Sequence, residues 1–322
     1  MTPRDVVRRG RLVAACLVAL GAVVLLLLTT RTVTSPDLVG LQALSPAAVP
    51  ALVVALVLAV VPLGGWSRRV LVVPSVLAVV AALVVASVRV APRWVAQGVP
   101  TSDATTLRVM TANLRLGLAD PAAVLAAVRR EKPDLVAFEE ITPGLQRALE
   151  AGGLRRQLPY VAGRAEPGAT GTLVYAVDRL TSVTSLGLVH DSWSVEFRGL
   201  RVWGVHPAYP YDSAWLRDQE RLATAAGEQR PDVAVGDFNA TLDHPPFRRI
   251  LDRGLTDAAE QAGEGWQPTW PSDGSKGFPV PVTAIDHVLV GRGITAVGTR
   301  VHTIPGTDHL MLVAVLALPP GP

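Results

Sequence analysis

Six short apolar runs in the C-terminal two-thirds of the chain each border a polar residue that can do chemistry. Asn113 follows Val109-Met110-Thr111-Ala112, Glu139 and Glu140 follow Leu135–Phe138, His206 follows Val202–Val205, and Asp237 and Asn239 close Val233–Gly236. Asp286-His287 interrupts Thr283–Val290, and Asp308-His309 stands just before Leu310–Leu318. Strand ends suit such groups, because the sheet fixes the backbone while the loop beyond leaves room for a ligand. Carboxylates gathered with amides and imidazoles suit a hard divalent cation. They also suit phosphoryl chemistry, where a metal neutralises developing charge and an acid/base group handles the proton. Singly, each has an ordinary explanation: a turn-forming Asn, a capping Asp, a buried His with its hydrogen bond made. Their succession at strand ends goes beyond those explanations.

The elements that must hold them read as short strands alternating with helices. Leu107–Ala112, Leu135–Phe138, Leu173–Val177, Val202–Val205, Val233–Val235, Ile285–Val290 and Leu310–Leu318 are expected strands. Asp120-Pro121 and Thr142-Pro143 pair a capping residue with proline at the first helical position. Ser213 is the expected cap of an amphipathic helix over Trp215–Glu228, and Pro246–Asp252 reads as a short helix. The expected fold class is mixed α/β with a sheet-dominated core.

The order of the motifs, Thr-Ala-Asn113-Leu, Pro-Asp-Leu-Val-Ala-Phe-Glu-Glu140, Val-His206-Pro, Gly-Asp237-Phe-Asn239, Ala-Ile-Asp286-His and Thr-Asp308-His309, resembles the endonuclease/exonuclease/phosphatase superfamily. That superfamily includes DNase I-like nucleases, abasic-site endonucleases, sphingomyelinases and inositol-phosphate phosphatases. The resemblance covers about residues 105–318 and implies a two-sheet α/β sandwich (DNase I-like). It implies Glu140 as the principal metal ligand with Asn113 and Asp308 supporting it, and Mg²⁺ (or Mn²⁺) as the ion. It implies that Asp237 orients or deprotonates the attacking water and that Asn239 positions water or phosphate. His206 and His309 would contact phosphate oxygens, and Asp286 would hydrogen-bond His309.

The chain departs from the family pattern in places. Glu139 stands where Gln is common, and strand alternation sends its side chain to the face opposite Glu140. Val-His206-Pro replaces the usual Thr-His-Leu, and Tyr175 is the candidate for a mid-domain active-site residue. Trp266 and Trp270 fit a stacking or lipid-contacting role, or simple loop packing. His244 reads as a surface loop residue.

Residues 1–100 differ in kind. They hold nine arginines and two acids (+7), whereas 101–322 hold 21 basic and 25 acidic residues (−4), so the basic balance belongs to the first third. The lone Cys16 excludes an intramolecular disulfide and a cysteine-rich zinc site. Apolar runs without charge extend from Leu12 to Leu28, Ala47 to Leu63 and Val70 to Val88. Each approaches the roughly 20 residues that a membrane span needs. Arg4, Arg8, Arg9 and Arg11 at the start and Arg68-Arg69 in the second loop predict a cytoplasmic N-terminus. The expected organisation is three transmembrane helices in 1–91, a linker at 92–105 and an extracytoplasmic catalytic domain at 106–318, anchored in the cell membrane. The expected partners are the lipid bilayer and a phosphoester substrate, phospholipid or nucleic acid. The expected activity is metal-dependent hydrolysis of a phosphodiester or phosphomonoester. Against it stand an extracytoplasmic nuclease, which the domain's net charge does not favour, and a catalytically inactive binding domain.

Overall fold

The computed structural model describes residues 3–59, 66–98 and 104–319. The chain forms two compact units, Met1–Pro92 and Arg93–Pro322. The end of the second apolar run (60–63), the side chains of Arg4, Arg8, Arg9, Arg68 and Arg69, and linker residues 99–103 lie outside the described residues.

The first unit comprises α1 (Pro3–Leu28), α2 (Pro36–Ala43), α3 (Ala48–Ala59) and α4 (Trp66–Val90). Helix α2 falls in the stretch between the first two apolar runs, where no apolar run announces a helix. It has the local ingredients of a start, with Pro36 in the first turn and Asp37 near the positive helix end. Buried Gln42 of α2 donates to the carbonyls of Leu28 (2.6 Å) and Arg31 (2.8 Å), satisfying acceptors that the end of α1 leaves open. Ala22, Ala48, Leu52 and Ala86 pack at the centre of the unit. Larger aliphatics such as Leu17, Leu20, Val53, Val57 and Val84 point outward. Among the described residues no single helix is long and apolar enough to cross a membrane. Pro36–Ala43 and Ser45–Leu58 meet that test only as a pair bent by 50°.

The second unit is a two-sheet sandwich. The strands are β1 (Thr106–Asn113), β2 (Leu135–Glu139), β3 (Tyr160–Arg164), β4 (Thr172–Ala176), β5 (Leu180–Ser185), β6 (Trp193–Phe197), β7 (Leu200–Val205), β8 (Val233–Asp237), β9 (Thr256–Asp257), β10 (Asp286–Val290), β11 (Thr295–Thr303) and β12 (Leu310–Ala317). Their orders are β11-β12-β1-β2-β4-β3 and β5-β6-β7-β8-β10-β9. Alternate residues such as Leu107, Val109, Leu135 and Ala137 face Val202, Val233, Val235 and Val288 across the sandwich. Met110, Val136 and Phe138 point the other way, under α5 (Pro121–Glu131) and α6 (Pro143–Ala151). Residues after α6 form the single turn α7 (Leu154–Gln157). The second sheet is flanked by α8 (Trp215–Gln229) and α9 (Pro245–Leu251), and α10 (Ala258–Ala262) follows β9.

Both expected capping pairs form: Asp120 accepts from the Ala122 amide (2.8 Å) and Thr142 from the Leu145 amide (3.4 Å). Ser213 does not cap α8; the turn before it is held by Asp212, which accepts from the Ala214 amide at 2.7 Å. Every expected strand is present. Five further strands form without a continuous apolar run to announce them: β6 and the four at the sheet edges, β3, β5, β9 and β11. An edge strand has one open side and needs no continuous apolar run.

Two parallel pairs position the site. The units β1-α5-β2 and β7-α8-β8 are strand–helix–strand crossovers, so β1, β2, β7 and β8 all deliver their C-terminal ends to one end of the sandwich. Strands β10 and β12 run antiparallel to β8 and β1 and bring their N-terminal ends to the same place. Gly236 is fitted into the β7–β8 approach at φ 150°, and a Cβ there would collide with the Val205 carbonyl. Gly236→Ala should therefore lower stability by about 2–4 kcal/mol. Gly168→Ala, at φ 74° with nothing nearby, should cost about 1 kcal/mol. Denaturation curves of the two variants, compared side by side, check this, and equal losses would refute the close-approach argument.

Candidate active site

Six of the eight expected site residues converge at the shared end. Asp237 closes β8 and Asp286 opens β10, directly opposite it in register. Asn113 closes β1, and its amide donates to Asp237 Oδ2 (3.0 Å) and to Glu140 Oε1 (3.1 Å), joining the two carboxylates. His206 Nε2 lies 3.8 Å from Asp237 Oδ2 and 4.0 Å from Glu140 Oε1. His309 Nε2 lies 3.8 Å from the same Asp237 oxygen, and its Nδ1 is bonded to Asp286 Oδ2 at 2.9 Å. The Asp286–His309 hydrogen bond expected from the sequence is thus present.

The other two stand beside this group. Asn239, in the left-handed region at φ 49°, donates its backbone N–H to Asp237 Oδ1 (2.8 Å) and a side-chain N–H to the Pro207 carbonyl (3.0 Å). Asp308, expected to support the metal, has other partners. Trp270 Nε1 donates to it at 3.1 Å, and the Arg115 guanidinium lies 3.6 Å away. Asp308 therefore stands beside the group, held by Trp270 and Arg115 and close enough to His309 to add to its charge.

Alternation holds through Glu139, which shares the inter-sheet face with Leu135 and Ala137. Strand β2 ends at Glu139, and Glu140 turns to φ 53°, so strict alternation stops between them. Glu139 is fully buried on the inter-sheet side, where Thr111 Oγ1 donates to its carboxyl at 2.8 and 3.0 Å. Burial, then the neighbouring Asp286 and Asp237, push its pKa well above the usual carboxylate range. Glu140 instead accepts the Leu116 amide at 2.8 Å. Tyr175 is no part of the site: it packs edge-on against Phe138 under the outer layer, and its hydroxyl donates to Glu150 at 2.9 Å. His244 is buried, not on the surface, with Nδ1 accepting from the Thr241 amide at 2.8 Å. Trp270 does more than fill a loop, since it holds Asp308.

Two contributors lie outside the expected site residues. His190, in the β5–β6 hairpin, stacks on His206 with ring centres 4.5 Å apart. Thr307 donates to the Asn113 carbonyl (2.7 Å) and accepts from the His309 amide (3.1 Å), fastening the last motif to the first. No apolar run ends at Thr307; His190 does close the short run Leu186–Val189, a signal of the same kind as the one before His206.

The electrostatics divide the two histidines. Burial, then His190 and His309 nearby, hold His206 well below the ordinary histidine range, so it is neutral. Burial alone would also lower His309, but Asp286 and Asp237 outweigh it and raise it to about 10, so it is an imidazolium at neutral pH. Burial raises Asp237 to about 7, with His309 opposing and Asp286 adding to the shift. Asp237, Asp286 and His309 present ligand atoms within 4.8 Å of one another, the one set among the described residues with metal-binding spacing. A protonated His309 has no lone pair for an ion, which leaves the carboxylates as the useful donors.

The Asp286–His309 pair predicts a pH response. His309 titrates higher when folded than its ordinary 6.5, so the pair's contribution to stability is complete below pH 6.5. It is lost as pH rises toward about 10. In Asp286→Asn, the imidazole should titrate far lower than in the wild type; an unchanged histidine NMR titration would remove Asp286 from this role. A second expectation separates the two glutamates. Glu139→Gln, at a carboxyl whose pKa burial raises, should leave turnover within a few-fold, while Glu140→Gln should cost about 10²-fold or more. Equal losses would show that Glu139 works as a carboxylate.

The sequence profile of the Endonuclease/Exonuclease/phosphatase family matches residues 110–309. No curated protein matches the chain in sequence. Among solved structures, an endonuclease/exonuclease/phosphatase from Beutenbergia cavernae is similar over 66% of this chain and 72% of its own, with 22% identity and TM-score 0.51. An AP endonuclease from Archaeoglobus fulgidus is similar over 65% and 98%, with 17% identity and TM-score 0.54. A 3' phosphatase from Neisseria, bound to product DNA hairpin, is similar over 65% and 98%, with 19% identity and TM-score 0.50. At these identities the likeness concerns the fold.

Proposed function

The chain belongs to the endonuclease/exonuclease/phosphatase family, and from that premise we propose that it is a membrane-anchored, divalent-metal-dependent phosphoesterase. In this reading it hydrolyses a phosphodiester or phosphomonoester by in-line attack of water. The observation that carries the reading is the Asp237 carboxylate. It is buried between a neutral imidazole, His206, and a charged one, His309, and held in place by Asn113.

Each residue then has a task. Asp237 Oδ1 is fixed by the Asn239 amide, so its carboxylate can orient a water and take its proton. Raised to about 7, Asp237 is a base of useful strength near neutral pH. His309, kept protonated by Asp286, donates from Nε2 to a phosphoryl oxygen as charge builds there. His206 faces the same carboxylate from the other side and supplies a second, uncharged contact. The donor set fits a hard divalent cation. Asp286 Oδ1 is buried without a hydrogen-bond partner, Asp286 and Asp237 have ligand atoms within 4.8 Å of each other, and the Asn113 amide joins Asp237 to Glu140. Those three carboxylates would hold Mg²⁺ (or Mn²⁺), which when bound polarises the phosphoryl oxygen and offsets the carboxylate charge.

The membrane reading rests on the first unit. Its small residues pack inward and its large aliphatics point outward, an arrangement that suits lipid and is unfavourable in water. With the arginine-rich start inside, an odd number of spans would leave the catalytic unit outside the cell.

The full chain should hydrolyse a soluble diester such as bis(p-nitrophenyl) phosphate with Mg²⁺ and lose that activity in EDTA. DNA, RNA and phospholipid assayed in parallel rank the substrate classes. Activity unaffected by EDTA, or no hydrolysis of any phosphoester, would overturn the proposal.

A further inference from the structure

Three loops around the site carry large apolar side chains into solvent. Leu116 and Leu118 follow Asn113, Tyr209 and Tyr211 follow His206, and Phe278 and Val280 precede Asp286; each is between 39% and 65% exposed. All three loops are tied to the site. The Leu116 amide bonds Glu140, the Pro207 carbonyl accepts from Asn239, and Arg115 of the first loop pairs with Asp273 of the third at 2.7 Å. Elsewhere in this unit, Tyr160, Val183 and Val297 are exposed singly on edge strands, Val189 is exposed beside His190, and Trp94 and Val95 are exposed together near the unit's first residue. Single exposed apolar residues need no explanation, but a ring of them round one opening marks a contact surface.

The chemistry of the ring selects its partner. Nucleobases stack on flat aromatic platforms, yet half of this ring is aliphatic. Tyrosines beside leucine and valine are the composition of a membrane interface, where a phenol keeps its hydroxyl in the headgroup layer. Exposed Lys276, between Asp273 and Phe278, adds a cation of the kind that pairs with anionic headgroups. The chain also enters the unit at this end. Arg93, its first residue, is bonded to Asp243, four residues beyond Asn239, and lines a cavity with Asp286 and His287. The apolar runs between Leu12 and Val88 precede Arg93 in the chain.

We infer that the loop ring seats on a bilayer surface, so that the site opens onto phospholipid headgroups and draws its phosphoester from the membrane. This rests on the phosphoesterase reading and narrows its substrate to a lipid.

The test uses the full chain in lipid nanodiscs of mixed zwitterionic and anionic phospholipid. In a Cys16→Ser background, a single cysteine at Leu118, Tyr211 or Val280 carries an environment-sensitive fluorophore, with Val297 as the remote control. The expected result is a blue shift at the three loop positions, with most of the emission quenched by lipids bearing a shallow nitroxide, and no change at Val297. On the unmodified chain, amide exchange in residues 114–118, 208–212 and 274–281 should slow in discs relative to amphipol. Loop probes that stay water-like with unchanged exchange would overturn the inference, as would a response to single-stranded oligonucleotide in place of lipid. Hydrolysis of the soluble diester by the wild-type discs is read separately. Hydrolysis with water-like probes refutes only the docking surface, and quenched probes without hydrolysis refute the phosphoesterase reading.

Discussion

Burying several carboxylates in one place is unfavourable unless protons or cations share the space, and the catalytic unit is organised around that demand. Glu139, Asp237 and Asp286 lie together at the end of the sandwich, all nearly inaccessible to water. The protein meets the demand in three ways. Glu139 is biased toward its protonated form, His309 takes a proton up and pairs with Asp286, and Asn113 donates to Asp237 and Glu140. What remains, a raised Asp237 and an unpartnered Asp286 oxygen, is a place where an added cation or a reacting proton is favoured. Reactivity here is what the folded chain has left uncompensated.

Topology makes this concentration possible. A single sheet could offer its strand ends in a row, but two stacked sheets with central parallel pairs bring four C-terminal ends together from both layers. The antiparallel β10 and β12 add their N-terminal ends, so six chain segments meet within a few ångströms. Thr307 then ties the last of them to the first. Loops extending from the same ends form the rim, which is why the apolar ring and the acidic floor belong to one feature of the fold.

The N-terminal unit inverts the usual rule of burial. Its interior is mainly alanine and its exterior is leucine and valine. Small interior residues let helices approach closely, and the energy of that packing does not depend on expelling water.

How much of this was legible in the sequence follows from which interactions are local. Strand cores announced themselves as apolar runs, and two helix starts as capping pairs, because neighbouring residues decide both. The order of polar residues at strand ends named the family and most of the site, including the Asp286–His309 pair. Edge strands β3, β5, β9 and β11 stayed hidden, since half-exposed strands need no apolar continuity. The positions of Glu139, Asp308, His190 and Thr307 also depended on tertiary structure. Glu139 follows Leu135 and Ala137 onto the inter-sheet face, and only the packing of the second sheet puts carboxylates there, while Asp308 is held by Trp270 and Arg115, both distant in sequence. The sequence by itself determined which groups can do chemistry and which segments are strands. Only the fold decided which carboxylates are buried together, and burial among like charges sets their protonation.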